Sequence, residues 1–142
     1  MIVMIEVRRM ENNMRIELPF VQGISAGFPS PANDYLEAAI DLNKELIKNP
    51  SSTFFGRVKG LSMKDAGIDD EDILIIDKSV SPKNGMTAVC FVDGEFTLKK
   101  ISLGDRCITL LPANNKYKPI VVNEQNDFLI WGIVTYVIKK LQ

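Results

Sequence analysis

The chain contains no histidine. That absence excludes a Ser-His-Asp triad, so a nucleophilic serine here needs another base, and lysine is the usual substitute. Cysteine is scarce as well. Cys90 and Cys107 are the two present, and both lie in apolar runs. They read as reduced core residues of a cytosolic protein, and they supply neither a disulfide framework nor a zinc-binding cluster. No metal and no cofactor is expected. An excess of charge is also missing: 17 basic residues face 18 acidic ones, for a net charge of −1. No bulk attraction to nucleic acid follows from that balance. The longest apolar run near the start, Met1 to Ile5, gives way at once to Glu6, Arg8 and Arg9. It is far too short to span a bilayer, so no membrane association and a cytoplasmic location are expected.

What is present fits one domain. A chain of 142 residues can bury roughly two-thirds of its unfolded surface. Its first 26 residues differ in texture from the rest. An apolar, β-branched stretch, Ile2 to Val7, turns polar through Arg8, Arg9, Glu11, Asn12 and Asn13. A mixed stretch from Met14 to Val21 then leads into Gly23, Ser25, Gly27, Pro29 and Pro31. That cluster reads as a flexible linker, the kind of extended segment a protease binds. Between Asn33 and Asn49, the spacing of Leu36, Ala39, Ile40, Leu46 and Ile47 predicts one short amphipathic helix. Asp34 or Asp41 would cap it, and Pro50 forbids its extension.

From Ser52 onward the pattern is of strands: Thr53 to Val58, Ile73 to Ile76, Thr87 to Val92, Glu95 to Ile101, Cys107 to Leu111, Ile120 to Val122 and Phe128 to Ile138. Asp93-Gly94 between two of these is the strongest short hairpin signal. The fold class expected is mainly β, with several short strands in packed, partly barrel-like sheets and one short helix.

Two features carry chemistry. Ser62 opens Ser62-Met63-Lys64-Asp65, a capping-box pattern that Gly67 would end after one turn. A serine at a helix start also sits beside free backbone N–H groups, here those of Ser62 and Met63, which can hold an oxyanion. The pair Lys99-Lys100 lies 37 residues beyond Ser62 on an expected strand. A lysine acts as a base only when neutral, so burial must pull its pKa well below the ordinary value. Alternation places Thr97, Lys99 and Ile101 on one face and Phe96, Leu98 and Lys100 on the other. Only one of the two lysines can therefore face the serine. Burying the Phe96/Leu98 face would favour Lys100, so the residues alone leave the choice open.

Taken in order, the motifs resemble one family. Ala26-Gly27-Phe28-Pro29-Ser30-Pro31, Asp41-Leu42-Asn43, Gly60-Leu61-Ser62-Met63 and Asp93 to Lys100 are similar to the UmuD-type SOS mutagenesis proteins. Leu111-Pro112-Ala113-Asn114, Tyr117 and Pro119 continue the likeness, which runs from residue 22 to the end. A weaker similarity of the same kind extends to the LexA-type self-cleaving serine peptidases. The resemblance implies Ser62 as nucleophile, Lys99 as general base, and a cut at the Ala26–Gly27 bond. It divides the chain into an arm, 1–26, and a β-rich peptidase-like domain, 27–142. It further implies a homodimer, cleavage stimulated by a RecA filament on single-stranded DNA, and partnership with a UmuC-type Y-family translesion polymerase.

The chain departs from the pattern in places. Leu61 stands where the UmuD type has an acidic residue, Ala26 replaces a cysteine, and Glu71 occupies a position that is commonly glycine. Twenty-six residues are too few for the DNA-binding helix-turn-helix domain of LexA-type repressors, so direct specific DNA binding is not expected. Two rival readings remain: a phage- or plasmid-type self-cleaving regulator, and a non-cleaving β-rich interaction module whose serine and lysine are inert.

Overall fold

The structure is a computed structural model that describes residues 4–9, 17–21, 36–60, 66–105, 107–111, 118–123 and 126–142. The chain divides into two units, one of residues 1–10 and 49–142 and the other of residues 11–48.

The larger unit is built on an antiparallel sheet. Its strands are β1 (Met4–Arg9), β4 (Thr53–Lys59), β5 (Ile73–Asp77), β6 (Thr87–Val92), β7 (Glu95–Leu103), β8 (Ile108–Leu111), β9 (Ile120–Val122) and β10 (Phe128–Ile138). They lie in the order β1-β4-β5-β10-β6-β7-β8-β9. The chain's last strand thus runs through the middle of the sheet, between β5 and β6. Two register shifts interrupt β10, one between Ile130 and Gly132 against β6 and one between Val134 and Tyr136 against β5. Each extra residue bends the strand and sharpens its twist, which curls the sheet. At Gly132 the approach is so close that a Cβ would lie 2.6 Å from Ile76 Cγ2. Only glycine fits there.

Curling allows both faces to be covered. One core cluster gathers Val58, Ile68, Leu74, Ile76, Val89 and Leu98, with Phe96, Trp131 and Val134 packed against it. The other gathers Ala88, Cys90, Ile101, Leu110, Val122 and Ile133. Alternation along β6 and β7 sorts neighbours between them: Val89 and Leu98 join the first, while Ala88, Cys90 and Ile101 join the second. Cys90 is fully buried, as expected, but Cys107 is exposed. It lies just outside β8, where its carbonyl accepts the Gly104 N–H at 2.9 Å. Being in an apolar run did not place it in the core.

The smaller unit holds β2 (Glu17–Val21) and β3 (Leu36–Asp41), paired antiparallel, followed by α1 (Leu42–Leu46). The β2–β3 register shifts between Leu18 and Phe20, around Pro19, which has no N–H to give the ladder. Among the described residues one short α-helix is present, as expected, but the helical spacing from Asn33 overstated its reach. Residues 36–41 are strand, because pairing with β2 supplies backbone partners that an isolated short helix secures only marginally. Asp41 does cap α1, its carboxylate accepting the Asn43 N–H at 3.0 Å. The mainly β architecture expected for a LexA/UmuD-like domain is the architecture found.

Candidate active site

The hairpin that carries the lysine pair is fixed at its tip. Asp93 and Gly94 both have positive φ, 48° and 87°, the requirement of a tight two-residue turn between twisted strands. Asp93 also clips the hairpin to the approach of β10. Its N–H donates to the Asp127 carbonyl at 2.7 Å, and its carboxylate accepts the Asp127 N–H at 3.0 Å and the Asn126 amide at 3.2 Å. The resulting register sets Lys99 opposite Ala88, Lys100 opposite Thr87, and Thr97 opposite Cys90.

Lys99 is only 5% exposed. It shares its face with Thr97 and Ile101 on β7 and with Ala88 and Cys90 on β6, inside the second core cluster. Burial holds its ammonium pKa below the ordinary lysine value, and the Cys90 thiolate would act weakly in the opposite sense. Burial likewise pushes the Cys90 thiol up to about 12 despite the neighbouring Lys99 charge, so this cysteine stays neutral and inert. Lys100 faces the other way and is half-buried. The two lysines therefore occupy different environments, which alternation alone could not decide because both faces of β7 are covered.

Of the other residues singled out from the sequence, Ser62, Met63, Ala26 and Gly27 lie outside the described residues. The chain on either side of Ser62 is described. Gly60 ends β4 with φ 121°, and Gly67 has φ 77°, as expected of a residue closing a turn. Glu71, where glycine is common, itself takes φ 73°. It keeps that turn at the expense of left-handed strain, and its carboxylate pairs with Lys59 and Arg57. Sequence reasoning missed the hydrogen bond from the Gly60 N–H to Asp70, 3.0 Å long and ten residues apart.

A second polar cluster, also unmarked in the sequence, surrounds Asp77. Its carboxylate accepts from the Asn49 amide at 2.8 Å, the Ser52 hydroxyl at 2.8 Å, the Ser79 N–H at 2.8 Å and the Ser79 hydroxyl at 2.6 Å. Burial acts to raise this carboxyl, but the hydrogen bonds outweigh it and hold the pKa at about 2. The site is structural, tying the entry of β4 to the end of β5. Among the described residues, no group of three or more His, Cys, Asp or Glu is placed to hold a metal. No helix among them is long and apolar enough to cross a membrane.

What the buried lysine offers is a candidate base whose neutral form is favoured by its surroundings. Comparison with known proteins points to the same class of chemistry. The chain is 42% identical over 121 residues to Protein SamA of Salmonella typhimurium (strain LT2), covering 85% of this chain and 84% of that protein. It is 39% identical to Protein MucA of Escherichia coli, over 84% of this chain and 82% of the relative. Protein ImpA of Shigella flexneri is also 39% identical, over 85% and 82% respectively. Residues 19–135 match the family model described as Peptidase S24-like, and the chain belongs to that family.

Proposed function

We propose that this protein is a self-cleaving serine peptidase that cuts its own Ala26–Gly27 bond through a Ser62/Lys99 dyad. The observation that carries the reading is Lys99. It is a lysine buried in a β core, with its pKa depressed by desolvation, in a chain that has no histidine to serve as base. Membership of a peptidase family supports the same chemistry.

In this reading Lys99 Nζ accepts the hydroxyl proton as Ser62 Oγ attacks the Ala26 carbonyl carbon. The backbone N–H groups of Ser62 and Met63 hold the tetrahedral oxyanion. Collapse breaks the C–N bond, and the Lys99 ammonium returns its proton to the leaving Gly27 amine. Water, deprotonated by Lys99, then hydrolyses the ester on Ser62 and frees a carboxylate at Ala26. A small residue before the cut suits a cramped site beside the dyad.

The wider role follows the likeness to the UmuD type. The arm, residues 1–26, is the substrate, and residues 27–142 form the product. A RecA filament on single-stranded DNA stimulates the cut, and the shortened homodimer serves a UmuC-type translesion polymerase in the SOS response. The decisive experiment is the mass of the purified chain before and after adding activated RecA filament. The expected product starts at Gly27 and has 142 − 26 = 116 residues. A major cut elsewhere removes the assignment of the bond. A folded chain that stays whole, both with the filament and at alkaline pH, favours the inert interaction module.

A further inference from the structure

Four consecutive acidic residues, Asp69-Asp70-Glu71-Asp72, lie between Ser62 and β5. Three of them are tied to the body of the unit without help from Asp70. The Val58 N–H donates to the Asp72 carbonyl at 2.9 Å, and the Glu71 N–H donates to the Val58 carbonyl at 2.8 Å. Asp72, buried at 5% exposure, accepts the Asp69 N–H at 2.8 Å. Lys139 Nζ lies 2.6 Å from both the Asp69 and Asp72 carboxylates. Arg57 Nη1 donates to the Glu71 carbonyl at 3.2 Å.

Asp70 does something different. Its side chain is exposed, and its Oδ1 accepts the N–H of Gly60 at 3.0 Å. Gly60 is two residues before Ser62 and has φ 121°, a conformation glycine supplies readily. The bond joins residues ten apart in sequence. On the far side, Ile68 is sunk in the first core cluster at 4% exposure. Because the Val58–Asp72 ladder and Lys139 already hold the turn, little of the fold's stability depends on the Gly60–Asp70 bond. What the bond holds is the Gly60 N–H, one residue past the end of β4.

We propose that Asp70 is a positioning residue for Ser62, its carboxylate clasping the Gly60 N–H two residues before the serine. This builds on the assignment of Ser62 as nucleophile. A displacement of about 1 Å at a reacting atom costs on the order of 10²-fold in rate, and a clasp two residues away controls displacements of that size.

The test uses the full-length chain, with self-cleavage followed from neutral to alkaline pH without activator, together with thermal unfolding of each variant. Asp70→Ala should lower the plateau rate by about 10- to 100-fold, leave the pH midpoint in place, and leave thermal stability close to wild type. Asp70→Asn keeps an oxygen acceptor for the Gly60 N–H and should recover most of the rate. A plateau within about twofold of wild type for Asp70→Ala overturns the proposal. So does Asp70→Asn being as slow as Asp70→Ala, or a shifted pH midpoint, which would mean that the charge of Asp70 acts on Lys99. A wild-type chain that never cuts itself overturns the self-cleavage reading, a result separate from any of these.

Discussion

Ala88 stands directly across the β6–β7 pair from Lys99, and it is fully buried. A small residue opposite leaves the lysine stem room to lie within the core without a competing side chain. The same packing strips water from the ammonium.

Two outcomes follow for Lys99, one in activity and one in the pH dependence of stability. Lys99→Ala and Lys99→Arg should both abolish self-cleavage, the second because arginine keeps its proton. Lys100→Ala should cut at nearly the wild-type rate. The buried ammonium should also make stability depend on pH, the wild-type thermal midpoint gaining relative to that of Lys99→Met as pH rises. The sign comes from the depressed pKa. Below it the folded chain must hold a buried ammonium, and that cost disappears only as pH rises towards the ordinary lysine value. The wild-type cutting rate should rise with pH up to and through the depressed pKa, as Lys99 loses its proton, and level off above it. An inactive Lys100→Ala beside an active Lys99→Ala would reverse the assignment.

Ser62→Ala should stop self-cleavage while changing stability by about 1 kcal/mol or less, the usual worth of a helix cap. Mass spectrometry and a urea titration on the same sample check both halves. A variant that still cuts near the wild-type rate would leave Ser62 as a cap alone.

Asp77 sets an acid limit on the fold. Its folded pKa of about 2 lies below the ordinary carboxylate value, which is about 3.9. The carboxylate therefore contributes stability that is fully present above about pH 4 and is lost as pH falls through about 2. Its upper bound is about 2.5 kcal/mol. Asp77→Asn should lower the urea midpoint at pH 6, and its difference from wild type should shrink between pH 4 and pH 2. A difference that is constant with pH would mean that the loss is one of packing.

Gly132→Ala should destabilise by about 1 to 3 kcal/mol, the usual cost of overpacking, since the new methyl would meet Ile76 in the core. Ile76→Leu in the same chain removes the Cγ2 branch that the methyl would meet and should restore part of the loss. Denaturant midpoints of the single and double variants measure the coupling.

The sequence was most legible where local chemistry decides the structure. Asp93-Gly94 forces a hairpin wherever it falls between two β-rich runs, and the boundaries of β6, β9 and β10 match the runs read from composition. It was least legible where a partner distant in sequence decides. Leu36, Ala39 and Ile40 have helical spacing, yet they lie in a strand that pairs with β2. Lys99 and Lys100 could not be told apart, because alternation assumes one wet face and β7 has none. The Gly60–Asp70 bond and those of Asp77 to Asn49 and Ser52 span ten to 28 residues and involve ordinary polar side chains, with no spacing that would announce them.

The first strand has a consequence of its own. Every residue of β1, from Met4 to Arg9, precedes position 26, yet β1 is laid along β4 from Met4–Lys59 to Arg9–Phe54. Severing the Ala26–Gly27 bond would nick the polypeptide without dividing the sheet. The amputated piece would stay seated, held by a ladder rather than a tether, and would leave only as those pairs open. Once it has gone, β4 becomes a bare rim of unmet N–H and C=O groups, ready to zip onto another extended chain.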